Sequence, residues 1–595
     1  IMNRRIIHFL EYNGILDTLQ AGFRAGRSPT DNMVLLESYI RDAFVHNQYC
    51  LSVFFDLEKA YDTAWRYGIV QDLTAYGING NMLEVIQSYL SDRKFRVRIG
   101  NRLSRTFVQE NGVPQGGVLS CTLFIVRMNS LRTSLPPTIA YSVYVDDLQV
   151  SFKSCNLSIC ERQVQLSVNR LSKWANENGF CFNTEKTTCV LFTRKKGLHP
   201  DPSIELNGHK VTVKREQKFL GVIFDSKLTF IPLIKNLKLK CLRSMNVIKI
   251  LTHYSWGTDT QCLLSLFNSL VRSQMDYGSI VFQSASKTTL KMLDPIYHLG
   301  IRLATGAFRA SPVQSLYAES NQWPLEYQRT YSGITYAFNI SAQREHPCRT
   351  LMNNRTSEQL YANRPSLAQP FPLAITTVAE TLGLSFSDLH ETGRSDLIAP
   401  WCLRPVLCDM SFKALDKKNV PREAIMQHFL SLEDKYNATS YFTDASKTVK
   451  AVSCAAHSHG YNISRTLNTS CSIFTAEAYG IRLAVDHIRQ HRIQRAVIYT
   501  DALSVVTALA SGKVGDNPVF NHLLKSIYDA YNEELSLVVC WVPGHCGIAG
   551  NETADQSARE VTEVPSRDLK AYVRNRLRQH WQSQWDKETE KNCMQ

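Results

Sequence analysis

Two adjacent aspartates interrupt an apolar run in "AYSVYVDDLQVSF", where Asp146 and Asp147 follow Ala140–Val145 and precede Leu148, Val150 and Phe152. Like charges at close range repel, so a strand ending in such a pair is costly. The pattern predicts two short β-strands joined at the pair, with both carboxylates lifted toward one point. A hard cation such as Mg²⁺ takes oxygen ligands of this kind. An ordinary Asp-Asp hairpin turn has the same local sequence, and on this stretch alone both readings stand.

A second acid stands upstream in "LSVFFDLEKAYDTAW", where Asp56 closes the β-rich run Leu51–Phe55 and a helix begins through Glu58–Tyr61. If the strands of Asp56 and the pair are neighbours in one sheet, three carboxylates converge. They would then hold two divalent cations about 3.5–4 Å apart, for in-line phosphoryl displacement. Between them, "QENGVPQGGVLSCTLF" reads as a glycine-permitted tight loop before an apolar helix from about Leu119 to Leu131.

The C-terminal half repeats the design. "TSYFTDASK" ends a strand at Asp444, and "RAVIYTDALSVV" ends another at Asp501. In "SIFTAEAYGIRLAVDHI", Phe474, Ala478, Ile481, Val485 and Ile488 make a helical apolar stripe, with Glu477 beside it. "LSLVVCWVPGHCGIAGNETADQSA" adds a strand, a Gly-rich loop with His545, and a helix carrying Asp555. Each acid alone is also a plain helix cap or surface charge, Asp501 above all.

The elements that position these residues need a large chain. At about 100–200 residues per domain, 595 residues imply three to five domains. The composition is 44% hydrophobic, which supports sizeable cores and excludes global disorder. A net charge of +14 favours a polyanionic partner, nucleic acid before membrane. Sixteen cysteines without CxxC or zinc-finger spacing read as reduced thiols of an intracellular protein. The first residues lack a signal-peptide pattern, and no apolar run reaches the length of a membrane span. Ile234, Leu237, Cys241, Met245 and Ile248 recur at helical spacing, with Lys235, Lys238, Lys240 and Arg243 on other faces. That is either a solvated basic face or a grip on nucleic-acid phosphates.

Six ordered stretches carry a family resemblance: "QAGFRAGRSPTDN", "FFDLEKAYDTAW", "GVPQGGVLSCTLF", "YVDD", "NTEKTTCVLFTRKK" and "FLGVIFDSKLTF". Together they resemble the reverse transcriptase of non-LTR (LINE-type) retrotransposons. The resemblance implies Asp56, Asp146 and Asp147 as metal ligands and Tyr61 as the gate against a ribose 2′-OH. It implies Gln115 at the incoming nucleotide, Lys186 near the leaving pyrophosphate and "FLGV" as the primer grip. Tyr-Val-Asp-Asp stands where many relatives have Phe-Ala-Asp-Asp. Only the end of the fingers segment, and no endonuclease, precedes the first motif, so an N-terminally incomplete element protein is expected.

The second acid set resembles ribonuclease H from about Tyr436 to Val561. That family's Asp-Glu-Asp-Asp set implies Asp444, Glu477, Asp501 and Asp555 as ligands, with His545 in product release or proton transfer. The expected fold class is thus α/β and α+β multidomain: a right-hand polymerase palm and thumb, plus a five-stranded mixed ribonuclease H-like sheet with flanking helices. The expected divisions are partial fingers and palm at 1–231, helical thumb at 232–345, connection at 346–435, ribonuclease H at 436–563 and tail at 564–595. The implied activity is RNA-directed DNA synthesis coupled to cleavage of RNA in RNA–DNA hybrids. The implied cofactor is Mg²⁺ or Mn²⁺, two per site. The partners are RNA template, DNA primer, hybrid and deoxynucleoside triphosphates, with no membrane. The implied setting is a cytoplasmic ribonucleoprotein and the nucleus. The alternative is a decayed or domesticated element protein that binds nucleic acid without polymerase activity.

Overall fold

The apolar run before Asp56 becomes the central strand of a sheet because both of its faces are covered. In this computed structural model, which describes residues 1–253, 255–353, 357–386, 388–402, 404–414, 421–448, 451–544 and 564–593, Cys50 through Phe55 are all buried. The chain divides into two compact units. The first comprises Ile1–Ala337, Glu345–Thr381 and Gln582–Gln595, the second Phe338–Arg344 and Leu382–Trp581. The stretch expected as a connection is therefore shared between them at residue 381/382.

In the first unit, β1 is Tyr49–Phe55, β2 Ala140–Tyr144, β3 Asp147–Ser154, β4 Thr188–Phe192 and β5 Thr212–Val213. Their order is β5-β4-β1-β3-β2. β1 runs antiparallel to β3 and β4, β2 antiparallel to β3, and β5 parallel to β4. Alternation divides the faces. Leu51, Val53, Phe55, Leu148 and Val150 join Val164, Val168 and Leu171 of the helix Leu157–Asn178 in one core. The other face places Ser52 opposite Ser151 and Ser142 opposite Gln149, all hydrogen-bonded and buried. A hairpin of β6 (Glu216–Phe219) and β7 (Val222–Asp225) follows. Its two-residue turn has Leu220 at φ +47° and Gly221 at φ +87°, as a primed turn demands. The stripe Ile234, Leu237, Cys241, Met245 and Ile248 is buried along the helix Ile231–Leu251.

In the second unit, β8 is Cys408–Asp409, β9 Thr439–Lys447, β10 Val452–Ser458, β11 Tyr461–Leu467, β12 Arg495–Thr500 and β13 Ser536–Trp541. The order is β8-β13-β12-β9-β10-β11. β9, β12, β13 and β8 are mutually parallel, while β10 and β11 are antiparallel. The sheet thus has six strands among the described residues, one more than expected. The addition, β8, comes from the stretch read as a connection. It pairs along β13, which would otherwise be an edge with unsatisfied amides; Val539 N donates to Leu407 O at 3.0 Å. The helix Ile473–Gln490 lays Ala478, Ile481, Val485 and Ile488 on the core of this unit. The helix Arg422–Tyr436 contributes Ile425, Phe429 and Leu432 to a second cluster with Val497 and Tyr499. The expected tail begins a helix, Ser566–Cys593, with Leu569, Val573 and Leu577 buried. Among the described residues no helix is long and apolar enough to cross a membrane.

Candidate active sites

Register brings the first three acids together. Phe55 pairs with Leu148, so Asp56, one residue on, leaves β1 beside Asp147, the first residue of β3. Tyr144 pairs with Asp147, which makes Val145-Asp146 a two-residue hairpin turn. The sequence pattern places both aspartates at the junction; in the structure only Asp146 is in the turn. Val145 has φ +61°, a left-handed conformation that a β-branched residue rarely adopts. It is clamped from a distant segment. Val145 N donates to Gln20 Oε1 at 2.9 Å, and Gln20 Nε2 donates to Val145 O at 3.3 Å. Gly22 is needed beside it, because a Cβ there would lie 2.4 Å from Val145 Cγ2.

The neighbouring charges act on the pair. Burial, then Asp146 and Asp56, pushes Asp147 up to about 6, although its side chain reaches solvent. Asp146 is raised too, by burial first and by Asp56. Lys186 Nζ stands 3.7 Å from Asp56 Oδ2. The Tyr61 ring stacks on Phe124 at 4.6 Å and 10°, and Asp146 is close enough to help raise its phenol after burial and Cys121. Tyr61 lies on a four-residue helix, Ala60–Thr63, shorter than the sequence suggests. Gln115 is exposed and donates to Asp62 Oδ1 at 3.5 Å; it is beside the Tyr61 turn rather than on the carboxylates. Gln20 and Gly22 belong to the "QAGFRAGRS" stretch, but nothing in the sequence says that they buttress a turn some 125 positions away.

The second acid set is tighter. Thr443 pairs with Thr500 in parallel strands, so Asp444 and Asp501 stand side by side in the middle of the sheet. The sequence pattern ends the strand at Asp444, but β9 continues to Lys447 because its far side stays paired with β10, and only Asp501 lies past its strand. Glu477 comes from the second turn of the helix above. One carboxylate oxygen from each of Asp444, Glu477 and Asp501 lies within 4.8 Å of the others, the one such group of three among the described residues. Glu477 is 7% exposed, and its Oε2 has no hydrogen-bond partner. Burial, then Asp501 and Asp444, pushes its carboxyl up to about 9. A buried, unpartnered oxygen inside an all-carboxylate donor set fits a divalent cation, which would let all three ionise. Gly544 keeps the space at Asp501 open, because a Cβ there would lie 2.3 Å from Asp501 Oδ2. Asp555 and His545 lie outside the described residues.

The helix bearing Glu477 is held at its start by a residue from the C-terminal helix. Asp568 accepts Ser472 N at 2.8 Å and Thr475 Oγ1 at 2.6 Å. Asn517 Nδ2 also donates to Thr475 Oγ1, at 2.7 Å. Neither residue stands in a sequence motif, so no local signal points to them.

Residues 1–224 match the family model described as reverse transcriptase (RNA-dependent DNA polymerase), and residues 436–563 match that of RNase H. Similar curated proteins include the probable RNA-directed DNA polymerase from transposon BS of Drosophila melanogaster, 26% identical over 51% of this chain and 34% of that one. The probable RNA-directed DNA polymerase from transposon X-element of the same fly is 28% identical over 51% of this chain and 33% of its own. The RNA-directed DNA polymerase from mobile element jockey, also of that fly, is 26% identical over 52% and 34%. The aligned part of the chain thus spans about a third of the length of these relatives. Among solved structures, apo telomerase from Candida tropicalis aligns over 60% of each chain with 14% identity and a TM-score of 0.28, too distant to carry an argument.

Proposed function

We propose that this chain, which carries a reverse transcriptase domain and an RNase H domain and is a homologue of non-LTR retrotransposon RNA-directed DNA polymerases, copies element RNA into DNA and removes the RNA strand of the hybrid. The observation that carries the reading is the trio Asp444, Glu477 and Asp501, with its buried, unpartnered Glu477 oxygen, alongside a second acid group made by the Phe55–Leu148 register. Two separate carboxylate sites in one chain suit two phosphoryl transfers.

In this reading residues 1–231 are partial fingers and palm, and the helix Ile231–Leu251 opens a thumb over 232–345. Asp56, Asp146 and Asp147 would hold divalent cations at one site. Asp444, Glu477, Asp501 and Asp555 would hold them at the other, as Mg²⁺ or Mn²⁺, two per site. Bound there, such ions stabilise charge on the attacking and leaving oxygens of an in-line displacement. In synthesis the primer 3′-oxygen attacks the α-phosphorus of a deoxynucleoside triphosphate and the bond to pyrophosphate breaks. Lys186 would meet leaving-group charge, Tyr61 would close the space a 2′-OH needs, and Gln115 would contact the nucleotide. In cleavage a water oxygen would attack the phosphorus of an RNA phosphodiester as the P–O3′ bond breaks, leaving a 5′-phosphate and a 3′-oxygen that takes up a proton, with His545 assisting proton transfer or product release. Strand choice follows from the 2′-OH and hybrid shape. The work would take place in a cytoplasmic ribonucleoprotein and in the nucleus.

The test is a pair of assays on one preparation of the full chain, primer extension on RNA and cleavage of a labelled RNA–DNA hybrid, with Mg²⁺ or Mn²⁺. Asp146→Asn is expected to abolish extension and leave cleavage, and Asp501→Asn the reverse. If the folded parent does neither, a nucleic-acid-binding relic replaces this reading.

A further inference from the structure

Between the Tyr61 turn and the Gln115 loop the chain leaves the core. Lys94–Phe95 pairs with Phe107–Val108, and Arg98–Ile99 with Arg102–Leu103, so residues 94–108 form one long, irregular antiparallel hairpin. Every residue in it is exposed except Ser104 and Phe107, which are half-buried. Ile99 is 79% and Leu103 59% exposed, so the apolar side chains have no core to enter. Arg93, Lys94, Arg96, Arg98, Arg102 and Arg105 fall on or at the foot of this arm, and no acid lies between Asp92 and Glu110. Among the described residues none of the six forms an ion pair with an acid. Two are stacked instead, Arg93 over Tyr89 at 5.3 Å and Arg105 over Phe107 at 5.1 Å.

A two-stranded ribbon with both faces in water is marginal on its own, and six unneutralised cations on it repel. Its foot, however, is fastened. Gln109 N donates to Arg93 O at 2.8 Å, Gly112 N to Ala64 O at 2.9 Å and Val113 N to Tyr61 O at 2.8 Å. Gly112 has φ +81°, and a Cβ there would lie 2.5 Å from Tyr61 O. The arm is therefore rooted in the backbone that carries Tyr61 and runs directly into Gln115.

We infer that this hairpin is a nucleic-acid arm, whose arginines take backbone phosphates of the template–primer while Phe95, Val97, Ile99 and Leu103 lie against sugars and bases. The inference rests on the polymerase reading and adds to it a surface outside the acid sites. Charge complementarity selects the partner: planar guanidiniums suit phosphate oxygens, and interleaved apolar side chains suit the sugar and base surface between them. An anionic membrane is the competing surface for such a ribbon.

The test uses the full chain and a fluorescent DNA-primed RNA template, in chelator so that the RNA stays intact. Dissociation constants are measured against KCl for the parent, for Arg96→Ala/Arg98→Ala/Arg102→Ala and for the same three positions changed to Lys. Each phosphate contact contributes about 0.7–0.9 to the slope of log K against log salt. The alanine variant is expected to bind at least tenfold more weakly at ~0.1 M salt, with a slope smaller by about 2. The lysine variant is expected to keep most of the slope. A parent that extends primers while the alanine variant keeps both parental affinity and parental slope overturns the arm and leaves the polymerase reading standing. A parent that neither binds nor extends overturns the polymerase reading and the arm with it. Binding of phosphatidylserine vesicles that depends on the three arginines, with template binding unaffected, assigns the ribbon to membranes and overturns the proposal.

Discussion

The side-chain amide of Gln20 satisfies both backbone polar groups of Val145, a β-branched residue held at φ +61°. The two residues are 125 positions apart. The turn that aims Asp146 and starts β3 at Asp147 is strained, and strain of this kind persists only where the surroundings over-determine it.

Gln20→Ala removes that clamp and leaves the buried Val145 amide unpaired, at a cost of about 1–3 kcal/mol. Primer extension is expected to fall tenfold or more, mainly in kcat, with hybrid cleavage unchanged. Adding Val145→Gly relieves the positive-φ strain that the clamp holds, though not the unpaired amide, and is expected to restore part of the loss. Equal defects in both activities, or no rescue by glycine, would show a general folding role instead.

The Tyr61 ring is held by its stack on Phe124, while its phenol meets the Cys121 side chain. Tyr61→Ala is therefore expected to raise ribonucleotide incorporation relative to deoxyribonucleotide by about tenfold or more, and Tyr61→Phe to leave the ratio near parental. Competition of the two nucleotides in single-addition assays reads the ratio. An unchanged ratio in the alanine variant removes the gate role.

Glu477 carries a pH prediction whose sign follows from its raised carboxyl, at about 9 against an ordinary 4.5. The folded state without metal holds a proton that the unfolded state releases. Its contribution to stability is complete below pH 4.5 and is lost as pH rises toward 9. Glu477→Gln keeps the shape without the charge. In chelator, the variant is expected to match the parent below pH 4.5 and to exceed it at pH 8 by several kcal/mol, with about 5 kcal/mol as the ceiling set by the 3.5 pH units between them. Hydrogen exchange over the helix Ile473–Gln490 measures the difference. Mg²⁺ is expected to protect the parent and not the variant. A parent whose protection in chelator rises between pH 5 and 8 contradicts the assignment.

Asp568 lies five residues past the end of the RNase H match at 563, yet it receives the start of the helix that presents Glu477. Asp568→Ala is expected to destabilise the second unit by about 1–3 kcal/mol and to slow hybrid cleavage, with primer extension unaffected. A fragment from Leu382 to Trp581 is expected to fold and cleave better than one from Lys435 to Arg567. It retains Asp568, the β8 strand and the helix Arg422–Tyr436. Equal melting and equal cleavage by the two fragments would deny Asp568 its role.

The acids themselves were legible in the sequence because their signals are local. An apolar run that stops at a carboxylate marks a strand end, and Asp56, Asp146 and Asp501 follow that rule, whereas Asp147 opens β3 and Asp444 sits within β9, which runs on to Lys447; the buried stripe from Ala478 to Ile488 follows helical period. What the sequence could not determine is which strand lies beside which, and in what register. A one-residue slip between β1 and β3 would turn their apolar side chains to the opposite face and carry Asp56 away from Asp147. The Gln20 clamp on Val145, the Asp568 cap on the Glu477 helix and the docking of β8 along β13 join residues about a hundred or more positions apart. Their partners are chosen by the packed tertiary structure, where a buried polar group must find a mate or remain unpaired, and that requirement leaves no periodic trace in the chain.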